Sequence, residues 1–158
     1  MKTLICLLII LCMVLPLTAQ DDDVAIKETV LNYLEGWYEG NADRMEKALH
    51  PDLAKRMVTR IPTTGKTMLN YASASAMIEY TRAGFGKLPE DQWNISVEIK
   101  DIYKDIAQVK AVSAKFIDYC QVGKCDGEWK IIHVLWMPAA PPEPEEADDE
   151  SRSRRDRK

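Results

Sequence analysis

The chain has 158 residues, 46% of them hydrophobic and 29% charged. This is the composition of an ordinary globular protein, and it excludes collagen-like and wholly disordered classes; the length suits one domain or two small ones. A formal net charge of −4 argues against a general nucleic-acid partner, which calls for a basic surplus.

The two ends differ from the middle. Met1-Lys2 precedes an apolar run from Leu4 to Leu15, broken by Pro16, and Leu17-Thr18-Ala19 offers a small residue at a cleavage point. The run of 12 residues falls short of the roughly 18 that a membrane span needs. It reads as a signal peptide over 1–19, which implies a secreted or periplasmic protein with no membrane anchor after processing. Gln20 stands where a lipoprotein would carry its cysteine. At the other end, Glu143 to Glu150 holds six acids in eight residues and Ser151 to Lys158 five bases in eight. Residues 139–158 therefore read as a disordered acidic-then-basic tail, too poor in apolar surface to offset ordering entropy. The domain proper spans 21–138.

In chain order, Ile26, Val30, Leu34 and Trp37, with Tyr33 beside them, give Val24–Glu39 a helical period. The triple aspartate before it favours the helix N-terminus, and Gly40 suits its C-terminal stop. Asn41 is the expected N-cap of a short helix over Ala42–Leu49, stopped by His50-Pro51. Leu53–Ile61 reads as a strand, Thr63–Lys66 as a turn and Met68–Tyr71 as a returning strand. Ser73 or Ser75 caps a third helix, with Gly84 or Gly86 as its stop. Trp93, Ile95, Val97 and Ile99 alternate with polar residues, a strand period. One long strand from Ile106 to Cys125 follows, with Lys104-Asp105 as the hairpin loop before it. Asp126-Gly127, a strong type I′ turn signal, leads to a third strand over Glu128–Met137. The result is an α+β domain with a three-stranded meander.

The two hairpin loops fix a register. Val97 then pairs with Val112, Ile95 with Ala114, Trp93 with Phe116, Val122 with Ile131, Cys120 with His133 and Asp118 with Leu135. One face so defined runs through these residues and is the expected core. The opposite face mixes charged residues with Ile117, Tyr119, Ile132, Val134 and Trp136, and reads as a partner surface. Asp118 and His133 are polar residues on the apolar face, diagonal neighbours within side-chain reach. They must be paired or line a cavity, and a carboxylate that orients a histidine is a common acid–base arrangement. Asp118 and His133 are thus the candidate catalytic pair. Tyr33 and Trp37 could face the same cavity, which makes Tyr33, Trp37, Asp118 and His133 the candidate ligand-binding set. The two histidines do not form a metal signature, and neither a phosphate-binding glycine loop nor a nucleophile elbow is present, so no metal or cofactor is expected. Cys120 and Cys125, if on one strand, stand about 16 Å apart, beyond disulfide reach, and read as free thiols.

The stretches Leu34–Met45, Leu49–Arg56, Tyr80–Gly84, Phe116–Tyr119 and Gly127–Trp136 resemble the putative lumazine-binding family. It belongs to the nuclear-transport-factor-2-like superfamily, with the SnoaL-type polyketide cyclases and the ketosteroid isomerases. The resemblance covers roughly Val24–Pro138. It implies a cone-shaped half-barrel: a curved antiparallel sheet with three N-terminal-half helices on its concave face, a pocket between them, and a homodimer through the outer sheet face. It further implies a small apolar or aromatic ligand. The alternatives are an isomerase, cyclase or dehydratase using a pocket Asp or His, and a non-catalytic dimeric scaffold. Fold alone does not choose among them.

Overall fold

The structure is a computed structural model, and it describes residues 18–139. The signal peptide expected over 1–19 and the tail over 139–158 lie outside the described residues, save for their innermost positions. Helix α1 runs Thr18–Glu39 and buries Ile26, Val30, Tyr33 and Leu34, each contributing about 1.5–3 kcal/mol if fully removed from water. It ends in a Schellman motif: Asn41 N–H donates to Gly36 O (2.8 Å) and Gly40 N–H to Trp37 O (3.3 Å). That geometry needs the left-handed φ of +72° at Gly40, which glycine adopts without a Cβ penalty. Asn41 then caps α2, Ala42–Ala48, its side chain accepting from Arg44 N–H at 3.2 Å. Helix α3, Ala74–Arg82, is capped by Ser73 and stopped at Gly84, φ +78°.

Six strands follow the order β2-β1-β6-β5-β4-β3. They are β1 Leu49–Arg60, β2 Thr67–Ala72, β3 Ser96–Tyr103, β4 Ile106–Val112, β5 Phe116–Cys125 and β6 Glu128–Pro138. The three helices pack on this curved, open sheet in an α+β arrangement. The sheet is mixed rather than wholly antiparallel, because β1 pairs with β6 in parallel. The core is one cluster in which α1 and α2 meet the inner positions of β4, β5 and β6.

Three features correct the expected meander. First, the segment read as one strand from Ile106 to Cys125 is two, β4 and β5, paired antiparallel from Ile106↔Gly123 to Val112↔Ile117. The turn between them, Ser113-Ala114-Lys115, carries no glycine, proline or asparagine to announce it. It is held from outside: Tyr38 Oη donates to Ser113 Oγ (2.9 Å) and accepts from Lys115 N–H (3.4 Å), while Ser113 N–H donates to Phe116 O (2.9 Å). Second, β3 and β4 slip by one residue between Ile99 and Asp101, so Val97 faces Ala111 rather than Val112. The buried positions of β4 are accordingly Ala107, Val109 and Ala111. Trp93 and Ile95 lie before β3 begins. Trp93 stacks on Tyr38 at 6.0 Å.

Third, and decisive for the site, β6 carries a bulge against β5. Val122 pairs with Ile131 as expected, but Gln121 pairs with His133, leaving Ile132 as the extra residue. A one-residue shift turns every later side chain to the other face. Val134 and Trp136 therefore point inward, and His133 and Leu135 outward. On the outer face Tyr119, Leu135 and Met137 are each about half exposed, and Leu135 and Met137 stand where Val134 and Trp136 were expected. Ile132 folds over Gly123, where a Cβ would come within 2.5 Å of its Cδ1.

The start of α1 is tied to the β5–β6 hairpin. Asp22 Oδ1 accepts from Lys124 Nζ (2.8 Å) and Trp129 Nε1 (2.9 Å). The Lys124 hydrogen bond, then that of Trp129, holds the Asp22 carboxyl below its ordinary value of 3.8. A depressed carboxyl stabilises the fold above the unfolded pKa, and the benefit disappears as pH falls through the folded one. The stability gap between the wild type and Asp22→Asn should thus be constant near neutrality and close below about pH 4. Thermal unfolding across pH checks this, and a gap that persists in acid would contradict it.

Candidate functional site

A cavity of about 190 Å³ lies between α1, α3, β1, β2, β5 and β6. Its wall is almost entirely apolar. Leu34 and Trp37 come from α1, Met57 and Ala72 from β1 and β2, Met77 from α3, and Phe116 and Trp136 from β5 and β6. The aromatic members brace one another. Phe116 meets the Trp136 ring edge-on at 5.2 Å, and the Trp37 ring at 6.5 Å, both favourable geometries for aromatic pairs.

One polar cluster interrupts this wall. Lys55 on β1 reaches over β6 to Asp118 on β5, with Nζ 2.9 Å from Oδ1. Lys55 also donates to Tyr33 Oη, and Tyr33 Oη donates to the same Asp118 oxygen at 3.0 Å. All three side chains are buried; Asp118 is 0% and Lys55 7% exposed. The Lys55 ammonium rests over the Trp136 ring at 4.7 Å and the Tyr33 ring at 5.2 Å, a cation–π setting that partly replaces lost hydration. Burial, and then the Asp118 charge, push the Tyr33 hydroxyl well above its ordinary value. It therefore stays protonated and acts as a donor. Lys55 and Tyr33 line the cavity, whereas Asp118 sits behind them.

Of the residues singled out in the sequence, Tyr33, Trp37 and Asp118 come together here. His133 does not. The β6 bulge places it on the outer face, exposed, with Nδ1 2.9 Å from Gln121 Oε1. The expected Asp118–His133 pair is therefore replaced by Asp118–Lys55. The sequence signal for Lys55 is its place between Leu53 and Met57 in the strand alternation, an apolar-face position for a lysine. That anomaly is of the same kind that marked Asp118.

Trp37 is held from behind by Gly86. A Cβ on Gly86 would lie 2.4–2.5 Å from three indole atoms, so only glycine lets the loop after α3 close on the ring. Cys120, two residues along from Asp118 on the same face, is buried, and burial pushes its thiol up; Cys120 and Cys125 are both free. Among the described residues no group of three or more His, Cys, Asp or Glu side chains gathers that could hold a metal ion, and no helix is long and apolar enough to cross a membrane.

Solved structures place the fold. An NTF2-like protein of unknown function from Silicibacter pomeroyi superposes with a TM-score of 0.61 at 17% identity, over 78% of this chain and 100% of that one. One from Shewanella baltica gives 0.60 at 18%, over 78% and 98%. A ketosteroid isomerase-like protein from Erwinia carotovora atroseptica gives 0.51 at 13%, over 75% and 96%. The fold is thus NTF2-like. Within that class the chain belongs to the family described as "Putative lumazine-binding", whose model matches residues 21–137. A comparison with curated proteins finds no match.

Proposed function

We propose that this chain is an exported domain that binds a small one- or two-ring molecule in the cavity between α1, α3 and the sheet. The observation that carries this reading is an aromatic-walled space with one built polar corner. A cavity of about 150 Å³ lined by apolar side chains holds benzene, so the 190 Å³ here suits a ring system with small substituents. The family label points the same way, toward a small molecule.

The geometry supports binding over general-base chemistry. Asp118 Oδ1 already accepts from Tyr33 and Lys55; Oδ2 has no partner among the described residues, but Asp118 does not line the cavity, whereas Tyr33 and Lys55 do. Tyr33 holds its proton. A base must reach the proton that it abstracts, and neither group is placed to take one from a ligand.

Trp37 and Trp136 line the cavity, so a ring entering it should change the tryptophan emission. Titration with neutral one- and two-ring compounds is expected to show saturable changes in the wild type. Ala72→Trp, which fills the cavity, should lose them while keeping the melting temperature within a few degrees. Saturation that survives Ala72→Trp would place binding elsewhere.

Export rests on the apolar run at Leu4–Leu15 and the small residue at Ala19. The intact mass of protein recovered outside the cytoplasm is expected to correspond to a chain beginning at Gln20. A full-length mass in that fraction would contradict removal of the leader.

A further inference from the structure

The polar corner also selects the kind of ligand head group, an inference that rests on the binding reading above. An ammonium carries three N–H donors. Two of those on Lys55 are committed, to Tyr33 Oη and Asp118 Oδ1, and among the described residues no third nitrogen or oxygen accepts from it. The Tyr33 proton is committed as well, to Asp118. What the corner offers to the cavity is one uncommitted donor on Lys55; the Trp37 indole N–H on the cavity wall is a second buried donor without a partner among the described residues, and Asp118 Oδ2, an unpaired acceptor, is not part of the cavity lining. The Lys55 charge is already matched by a carboxylate 2.9 Å away. Lys55 and Asp118 together carry no net charge, so an entering anion would lose its hydration without gaining an uncompensated cation. An entering cation would meet the ammonium first, and an apolar ring would leave the donor unfilled.

We propose that Lys55, neutralised by Asp118 and oriented by Tyr33, reads an uncharged hydrogen-bond acceptor, a carbonyl oxygen or an equivalent ring atom, on a small aromatic ligand. Buried donors left unpaired penalise ligands that lack the matching group. The aromatic wall then supplies affinity, and the corner fixes which end of the ligand enters first.

Four probes of similar size test this on the full chain: acetophenone, toluene, benzoate and benzylamine, each titrated by calorimetry at neutral pH. Acetophenone is expected to bind about tenfold more tightly than toluene, and benzoate and benzylamine more weakly than acetophenone. Either single substitution in the corner could unfold the domain, so the second protein is Lys55→Met with Asp118→Leu and Tyr33→Phe, which removes both charges together with the hydroxyl that they hold. It should bind acetophenone and toluene with equal affinity. A wild type that prefers benzoate, or that ranks acetophenone with toluene, overturns this inference and leaves the cavity reading standing. An acetophenone preference that survives in the triple variant assigns the selection to another group and likewise overturns it. Absence of binding by all four probes overturns the inference and the cavity reading together.

Discussion

Asp118→Asn is expected to lower the stability of the domain by about 3–5 kcal/mol, because it leaves the Lys55 ammonium buried without its counter-charge. For a domain of this size that corresponds to a fall of about 10–20 °C in melting temperature. Lys55→Met should cost a similar amount for the mirror reason, since the Asp118 carboxylate has 0% exposure and, among the described residues, no other cation pairs with it. Taking two charges out of water is costly, and their attraction repays this only in good geometry. Replacing both with apolar residues of similar volume should therefore recover most of the loss, and Lys55→Met with Asp118→Leu is expected to melt close to the wild type. The four proteins form a double-mutant cycle, read by denaturant unfolding. Additive single losses would show that the two side chains act independently, contrary to the geometry. A double variant as unstable as the singles would show that the loss lies in packing and not in an unpaired charge.

Gly86→Ala is expected to cost about 1–3 kcal/mol through overpacking and, with it, the ligand-induced change in tryptophan emission. The added Cβ would stand 2.4 Å from Cε2 and Nε1 of Trp37, well inside van der Waals contact. A fused ring cannot yield as the end of a lysine can, so the loop or the indole must shift. A shifted indole moves into the cavity it lines. Trp37→Leu in the Gly86→Ala background should recover stability relative to Gly86→Ala alone, since the smaller side chain leaves room for the methyl. Urea unfolding measures both effects. Full stability in Gly86→Ala would mean that the loop rearranges freely and does not fix the ring.

How far these features were legible before the fold was known depended on whether local chemistry or tertiary contact set them. Helix ends were plain because their signals are local: Gly40, Asn41 and Ser73 cap or stop as their side chains require. The type I′ turn at Asp126-Gly127 was plain for the same reason, both residues having positive φ. The turn at Ser113-Ala114-Lys115 was not, because Tyr38, some seventy-five positions earlier, supplies the hydrogen bonds that close it. The β6 bulge was hidden too, since a simple alternation carried along Trp129, Ile131, His133 and Leu135 is a self-consistent apolar reading. Against it stood the larger Val134 and Trp136, which the bulge delivers to the core. The site followed the register. Tyr33 and Trp37 lie on a helix whose period fixed their face, and Asp118 lies before the bulge, so these were reached from the sequence. His133 lies beyond it, where unbroken alternation gives the wrong face. Lys55 was visible only as a charged residue in an apolar phase, a signal that needs its buried partner to be interpreted.

The central claim is that the cavity is a binding site with Lys55 as its polar contact. A crystal structure of the protein purified from its native host tests this most directly. The claim predicts electron density for a one- or two-ring molecule between α1, α3 and the sheet, with an acceptor atom within hydrogen-bond distance of Lys55 Nζ. A cavity closed by collapse of Trp37 and Trp136 onto Met77, with Lys55 turned away from it, would contradict the claim.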